Sequence, residues 1–306
     1  MPDPSIDPEP HEWADWWAAL PGNVRGGLIF ILASAIFSVM IAMIKLAGER
    51  LHVTQILFVR QATMVALAAP AIWAGWPGSL HSSRPKLQLA RVGLAFCAMT
   101  LGFSAVIHLP LAEATVISFS KAFFTTLLAI VILGEVVRLP RWTGLAAGFT
   151  GVVIIVWPQP GTELQIWHLA AVASAVCVSA VFIIIRVLAQ LDKPVTILTY
   201  QAVGVGLLMF VPMLWFWQWP TQQEWALLLG IGVLSAVAQY LNILAMKVGE
   251  ASAMAPLEYT RLIFATVLGF WLFSEWPDPR VWIGAAIIIG AALYVLHRER
   301  KTKHSS

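Results

Sequence analysis

From residue 26 to residue 296 the chain is a succession of ten mostly apolar stretches, at 26–46, 53–74, 90–109, 111–134, 142–157, 167–189, 195–216, 225–246, 252–274 and 281–296, with little between them. Crossing the hydrocarbon core of a bilayer takes about 20 such residues as a helix. In lipid only a helix or a closed barrel can satisfy its own backbone polar groups. The pattern therefore predicts an all-α integral membrane protein with ten transmembrane helices. Composition agrees, with 59% hydrophobic and 11% charged residues, where a soluble domain carries about 25% charged. In 306 residues there is no room for a separate soluble domain beside ten spans.

The separators carry turn formers such as Trp76-Pro77-Gly78, Pro140, Pro158-Gln159-Pro160-Gly161, Pro220 and Pro277-Asp278-Pro279. Tryptophans 73, 76, 142, 157, 167, 215, 217, 219, 276 and 282 fall at span ends, as the aromatic belts of a membrane protein do. Residues 1–10 are acidic and Pro-rich with no lysine or arginine before Arg25, unlike a secretory signal peptide, and read as a disordered tail. After them Trp13, Trp16, Trp17 and Leu20 share one helix face, the mark of a short helix in the membrane interface or docked on the protein's own loops. Residues 1–25 thus form an N-terminal tail and 297–306 a basic C-terminal one.

Charge sorts by side. With the N-terminus on the near side, that side receives Arg25, Arg84, Lys86, Arg91, Arg138, Arg141, Arg186, Lys193, Lys247, Arg298, Arg300, Lys301 and Lys303, thirteen residues against Lys45, Arg50 and Arg280 on the far side. Positive residues mark the cytoplasmic side, which puts both termini in the cytoplasm of a cell whose inner membrane holds the protein.

Sliding the chain on itself by 140 residues pairs Phe124 with Phe264, Thr126 with Thr266, Leu128 with Leu268, Glu135 with Glu275, Trp142 with Trp282, Gly144 with Gly284 and Ala146 with Ala286. Seven identities in 23 positions exceed the roughly two expected by chance, so the chain contains a repeat. Residues 26–157 and 158–296 each hold five spans. An odd number forces the second copy to enter from the opposite side, so the expected fold is two inverted five-helix repeats, an arrangement typical of secondary transporters.

The segments LAEATVISFSKAFFTTLLAIVILGE and APLEYTRLIFATVLGFWLFSE, each followed by a short loop and a W-x-G-x-A helix, resemble the paired repeats of EamA-type transporters in the drug/metabolite transporter superfamily. The resemblance spans nearly the whole chain and is strongest in spans 4, 5, 9 and 10. It implies a central cavity between the halves, alternating access, and a small-metabolite substrate such as an amino acid, a nucleoside-like molecule, riboflavin or an organic anion. Where span 4 of that family often carries Ser-Pro, this chain has Lys121-Ala122, a charge in place of a kink.

Ionisable side chains deep in a membrane are costly and mark functional sites or buried pairs. Lys121 and Arg261 are equivalent under the 140-residue offset and lie near mid-span, which nominates both as substrate ligands. Internal pairing competes with that role, since Glu258 lies one helical turn before Arg261 and Glu113 shares a face with Lys121. Arg60 with Gln61, and Tyr200 with Gln201 at the matching positions, bring polar groups to spans 2 and 7. Tyr240 and Asn242 do so in span 8, either toward the cavity or toward a neighbouring helix. Tyr259 is a candidate for stacking on a planar substrate. Glu113 and Glu258 are the candidates for exchanging a proton or an ion-pair partner during transport. Three deep cations against these two acids leave an excess positive charge, which favours a substrate with a carboxylate or phosphate.

Rival classes fare less well. No HExxH, Gly-x-Ser-x-Gly or paired nucleophile and base is present, so the sequence assigns no catalytic residue. No P-loop is present either, and the two cysteines, Cys97 and Cys177, sit in apolar segments as packing residues rather than metal ligands. The reading calls for no cofactor, no metal and no nucleic acid. It calls for lipid and a small metabolite, with the protein a monomer or homodimer. A channel or membrane receptor is the alternative.

Overall fold

The computed structural model describes residues 20–74, 82–133, 139–157, 166–188, 191–192, 194–248 and 255–303. Among the described residues every regular element is helical: α1 (Gly22–Ala47), α2 (Val53–Ala74), α3 (Pro85–His108), α4 (Leu111–Phe119), α5 (Lys121–Leu133), α6 (Leu139–Val156), α7 (Ile166–Leu188), α8 (Pro194–Trp215), α9 (Gln222–Val248), a 3-10 turn (Ala255–Tyr259), α10 (Thr260–Phe273) and α11 (Pro279–Lys303). Among the described residues six segments are long and apolar enough to cross a membrane, with three shorter apolar helices beside them. Trp13, Trp16 and Trp17 of the expected interfacial helix, and Glu135, lie outside the described residues.

The apolar surface is placed as lipid requires. Val131, Trp271, Leu207 and Leu214 are each more than half exposed on the outside of the bundle. In water such a surface would aggregate, whereas lipid tails are as apolar as leucine and exact no penalty. Inside, Met40, Ile44, Ile56, Leu228 and Ile231 join α1, α2 and α9. Leu57, Val92, Val205 and Met209 join α2, α3 and α8. A third cluster, including Val116, Ile117, Val152, Ile155, Val281 and Ile288, joins α4, α6 and α11.

Helix pairing follows the repeat. The bounds of α2 and α8 differ by 141 residues at both ends, and the starts of α6 and α11 by 140. The α1–α9 contact has its counterpart in α7–α3, and α2–α9 has its counterpart in α8–α3. The α6–α11 contact maps onto itself. Glycine makes that last contact possible: a Cβ at Gly151 would lie 2.9 Å from the Gly284 carbonyl oxygen, and one at Gly284 would lie 2.8 Å from the Gly151 carbonyl oxygen. Small residues that let helix backbones touch are the usual means of association in lipid, where hydrophobic driving force is absent.

The stretch 111–134, expected as one helix, is interrupted at Ser120. The Ser120 amide donates to the Ile117 carbonyl at 3.0 Å, a tight i−3 bond, and its hydroxyl donates to the same carbonyl at 2.6 Å. In the second half the 3-10 turn occupies the same register, and the Thr260 hydroxyl donates to Leu257 O at 2.7 Å. These four positions are repeat equivalents. Side-chain bonds to the preceding turn disturb a helix locally, so each half tightens just before its cation, without a proline in the first. At the far end of α10, Ser274 adopts the left-handed conformation, φ 55°, and Glu275 N–H reaches back to the Gly269 carbonyl at 3.0 Å. The repeat places Gly134, which suits that conformation, opposite Ser274.

Candidate substrate cavity

A cavity of about 280 Å³ lies among α1, α3, α4, α5, α7 and α10. Small residues make the room: Ala98, Gly102 and Ala105 on α3 face Ala171, Ser174 and Ala175 on α7. A Cβ at Gly102 would stand 2.6 Å from the Ser174 hydroxyl, which itself donates to Ala98 O at 2.7 Å. The wall is apolar over Phe37, Met99, Phe103, Val106 and Phe182 and polar over Ser38, Thr115, Ser118, Lys121 and Arg261.

The two cations converge on one carboxylate. Lys121 Nζ donates to Glu258 Oε1, and Arg261 Nη1 reaches the same oxygen at 3.4 Å. The Arg261 guanidinium lies over the Phe37 ring, 4.5 Å from its centroid, and its Nε–H is buried without a hydrogen-bond partner among the described residues. One acid thus offsets two cations, leaving a positive charge and an unused donor at the wall. The hydroxyls complement them. Ser38 donates to Ser34 O at 2.9 Å, Thr115 to Leu111 O at 2.7 Å and Ser118 to Thr115 O at 2.7 Å. Their hydrogens are spent on their own helices, so each offers a ligand an acceptor. The cavity can therefore hold an anionic group at one point and an N–H-bearing group nearby.

The other nominated residues sit elsewhere. Arg60 is buried between α2 and α9, donating to Ser235 Oγ and to Gln61 Oε1, each at 2.7 Å. Glu113 pairs with His168 Nε2 at 2.7 Å rather than with Lys121 or Arg60. Tyr259 meets Phe119 edge-on, with centroids 5.0 Å apart, and Tyr200 packs against the α2–α3–α8 core. Tyr240 is 66% exposed and Asn242 half-buried, and neither lines the cavity. Of the candidates, the cavity brings together Lys121, Arg261 and, as their shared partner, Glu258.

Three further polar residues emerge only in three dimensions. Arg91, which the sequence places among the near-side surface charges, is fully buried, donating to Gln201 Oε1 at 2.9 Å and Ile197 O at 2.5 Å. Gln61 and Gln201 are repeat equivalents, and each accepts from an arginine of the first half, Arg60 and Arg91. Lys45 donates to Leu109 O at 2.6 Å and to Glu275, whose other oxygen accepts the Leu111 amide at 3.0 Å. That cluster fastens the start of α4 to the ends of α1 and α10.

With this geometry in place, comparison with known proteins is decisive. The EamA-like transporter family matches residues 24–157 and again residues 165–297. The chain belongs to this family. It is a multi-pass membrane protein of the transporter class. It is 29% identical to the S-adenosylmethionine uptake transporter of Rickettsia prowazekii (strain Madrid E), over 94% of this chain and 99% of that one. To the pseudopaline exporter CntI of Pseudomonas aeruginosa it is 30% identical, over 90% and 97% respectively. It is 26% identical to the riboflavin transporter of Brucella anthropi, over 85% of this chain and 94% of that one. A solved crystal structure with 20% sequence identity superposes with a TM-score of 0.63, covering 92% of this chain and 98% of that one, and shares its fold. The names of these EamA-family relatives are those of small-molecule transporters, not enzymes.

Proposed function

We propose that this chain is a secondary transporter with ten membrane-crossing segments, arranged as two inverted five-helix repeats, that carries a small carboxylate-bearing metabolite across the inner membrane by alternating access. The observation that carries the reading is that Lys121 and Arg261, repeat equivalents that both line one cavity, converge on Glu258. A buried charge must be paired in every state. When the halves rock, a substrate carboxylate can replace Glu258 beside the cations, and the displaced acid then takes a new partner or a proton. The acceptor hydroxyls of Ser38, Thr115 and Ser118 suit the ammonium or amide groups of a zwitterion. The apolar wall suits the rest of such a molecule, and a zwitterionic metabolite is compatible with relatives that carry S-adenosylmethionine or pseudopaline. The charge bias supports cytoplasmic termini.

Reconstituted vesicles test this. Labelled S-adenosylmethionine, riboflavin and a panel of amino acids are offered to vesicles preloaded with each unlabelled compound. Saturable counterflow for one of them, lost in the Lys121→Met, Arg261→Gln double variant, is the expected result. Flux that neither saturates nor exchanges marks a channel and overturns the carrier reading.

A further inference from the structure

A second, larger cavity, about 490 Å³, lies at the opposite end of the bundle from the α1 N-terminus. Its wall comes from the α1–α2 connection, the last turn of α3, the first turn of α7 and the α8–α9 connection. Small-molecule sites typically fall between about 300 and 1,000 Å³. α3 contributes to both cavities, giving Ser104, Ile107 and His108 to this one and Gly102, Phe103 and Val106 to the central one.

The wall is dominated by rings. His52 stacks on Phe216 with centroids 4.0 Å apart, His108 stacks on Trp167 with centroids 3.6 Å apart, and Trp217 stands beside them in the same lining. The framework is pre-organised rather than a set of loose loops. Gln55 and Gln218 exchange two hydrogen bonds, side-chain N–H to Gln218 O at 2.7 Å and Gln218 N–H to the Gln55 side-chain oxygen at 3.0 Å. Arg50 donates to Trp219 O at 3.0 Å and forms an ion pair with Glu224.

The polar atoms specify more. His52 Nδ1 faces the Thr54 amide, 3.4 Å away, and the Thr54 hydroxyl, 2.7 Å away. An amide N–H can only donate, so Nδ1 is the acceptor and the His52 proton sits on Nε2. His108 is the reverse. Its Nδ1 lies 2.8 Å from the Ser104 carbonyl, which can only accept, so Nδ1 carries a proton and, in the neutral tautomer this selects, Nε2 is the acceptor. Burial also lowers the His52 pKa, keeping the ring neutral at neutral pH. Among the described residues no carboxylate lines this cavity, and the one permanent cation there, Arg50, is neutralised by Glu224. Charge therefore recommends neither an anion nor a cation here. A ligand matching this wall is flat, uncharged at the ring and equipped with both a donor and an acceptor on its edge.

We propose that this cavity is a binding site for a planar nitrogen heterocycle of the purine or flavin type, stacked on the aromatic wall and read at its edge by one donor and one acceptor imidazole, His52 and His108. The site is distinct from the central cavity, across α3 from it, and its occupancy does not depend on the transport reading.

Riboflavin is a suitable probe because its emission changes when its ring stacks on tryptophan. Titrated onto the purified full chain in nanodiscs, it is expected to show saturable quenching, weakened about tenfold by Trp167→Leu and by His108→Leu, as loss of one stacking or edge contact predicts. The Lys121→Met, Arg261→Gln double variant, expected to lose transport, should retain that quenching. Quenching that is absent in the parent, indifferent to both wall variants, or lost with the central double variant overturns the assignment. Should the wall variants fail to fold, Ser104→Cys in a Cys97→Ser, Cys177→Ser background decides the matter. Riboflavin should slow maleimide labelling of that cysteine at least several-fold, and labelling at an unchanged rate overturns the assignment.

Discussion

Lys121 and Glu258 are ion-paired across 137 residues, one from each half of the chain, and Arg261 shares the same carboxylate oxygen. The charge that balances the first half's cation is thus supplied by the second half. Any motion of the halves against each other acts directly on this pair.

The first prediction follows from that sharing. Glu258→Gln leaves both cations without their carboxylate, so a substrate anion no longer competes with an internal one. Even at an effective dielectric of about 20, removing one neighbouring charge is worth more than about 1 kcal/mol, so substrate should bind about tenfold tighter. Release then slows and maximal flux falls. Arg261→Gln and Lys121→Met act in the opposite sense, each weakening binding by tenfold or more, since truncating one partner of a buried charge pair costs about 2–5 kcal/mol. Equilibrium binding of the substrate found by counterflow checks both signs.

Much of this was legible in the sequence, for identifiable reasons. Helix positions follow from hydropathy because lipid leaves so few alternatives. Lys121 and Arg261 stand out because a repeat carries a cation to the same place twice. Glu258 one turn before Arg261 is a local relation, and local relations survive in a sequence. What could not be read is which distant side chain completes each contact. His168 holds Glu113 from 55 residues away, and Lys45 holds Glu275 from 230 residues away. Arg91 looks like a surface charge because it lies only six residues into α3, and position along a span does not say whether an arginine snorkels or turns inward. The repeat gave no clue either, since the position equivalent to Arg60, beside Gln201, is Tyr200. The outward direction of Tyr240 was hidden because an apolar helix has no polar stripe to fix its rotation.

The α6–α11 contact predicts a stability effect separable from binding. Gly284→Leu drives a side chain into the Gly151 carbonyl and Ile155 and should cost about 1–3 kcal/mol by overpacking. None of Gly151, Ile155 and Gly284 lines the central cavity. Thermal unfolding in detergent should therefore shift to lower temperature while substrate affinity of the folded fraction stays within about twofold of the parent.

A third prediction concerns acid. Asp192, in the α7–α8 connection, accepts hydrogen bonds from the Ser82 hydroxyl, the Ser83 amide at 2.8 Å and the Gln88 side chain at 3.0 Å. Desolvation opposes its charge, but these bonds outweigh it and hold the carboxyl at about 2, below the ordinary value of about 3.9. A carboxylate whose pKa is depressed by folding contributes stability above its unfolded pKa and loses it as pH falls toward its folded one. The parent should therefore unfold at a higher temperature than Asp192→Asn at neutral pH. That gap should close between roughly pH 4 and pH 2. A gap that is constant over this window would show that the carboxylate's charge is not what the three donors stabilise.

Orientation has a direct check. In a cysteine-free background, a cysteine at Ser306 should resist membrane-impermeant maleimide in intact cells, and one at Gly161 should react. Labelling of the Ser306 site before lysis would reverse the assignment of the two faces.

The last prediction concerns coupling. If a substrate carboxylate displaces Glu258 from Lys121 and Arg261, the acid is left in a partly apolar cavity, and an unpaired charge there is costly. Taking a proton removes that cost, and release of the proton on the other side would tie flux to the proton gradient. Transport in vesicles, normalised to folded protein, should then vary across roughly pH 5.5 to 8.5 in the parent, the range where a physiological gradient operates. Glu258→Gln should flatten that profile, because a glutamine carries no exchangeable charge. Glu113→Gln distinguishes the two acids, since Glu113 pairs with His168 whereas Glu258 pairs with Lys121 and Arg261, the cations that line the central cavity. Its profile should keep the parent's shape. A purely structural role for Glu258 predicts instead a lower folded yield with the parent's pH dependence intact in the protein that remains. A parent profile that is flat over the whole range would end the proton-coupling proposal while leaving the cation pair as the substrate site.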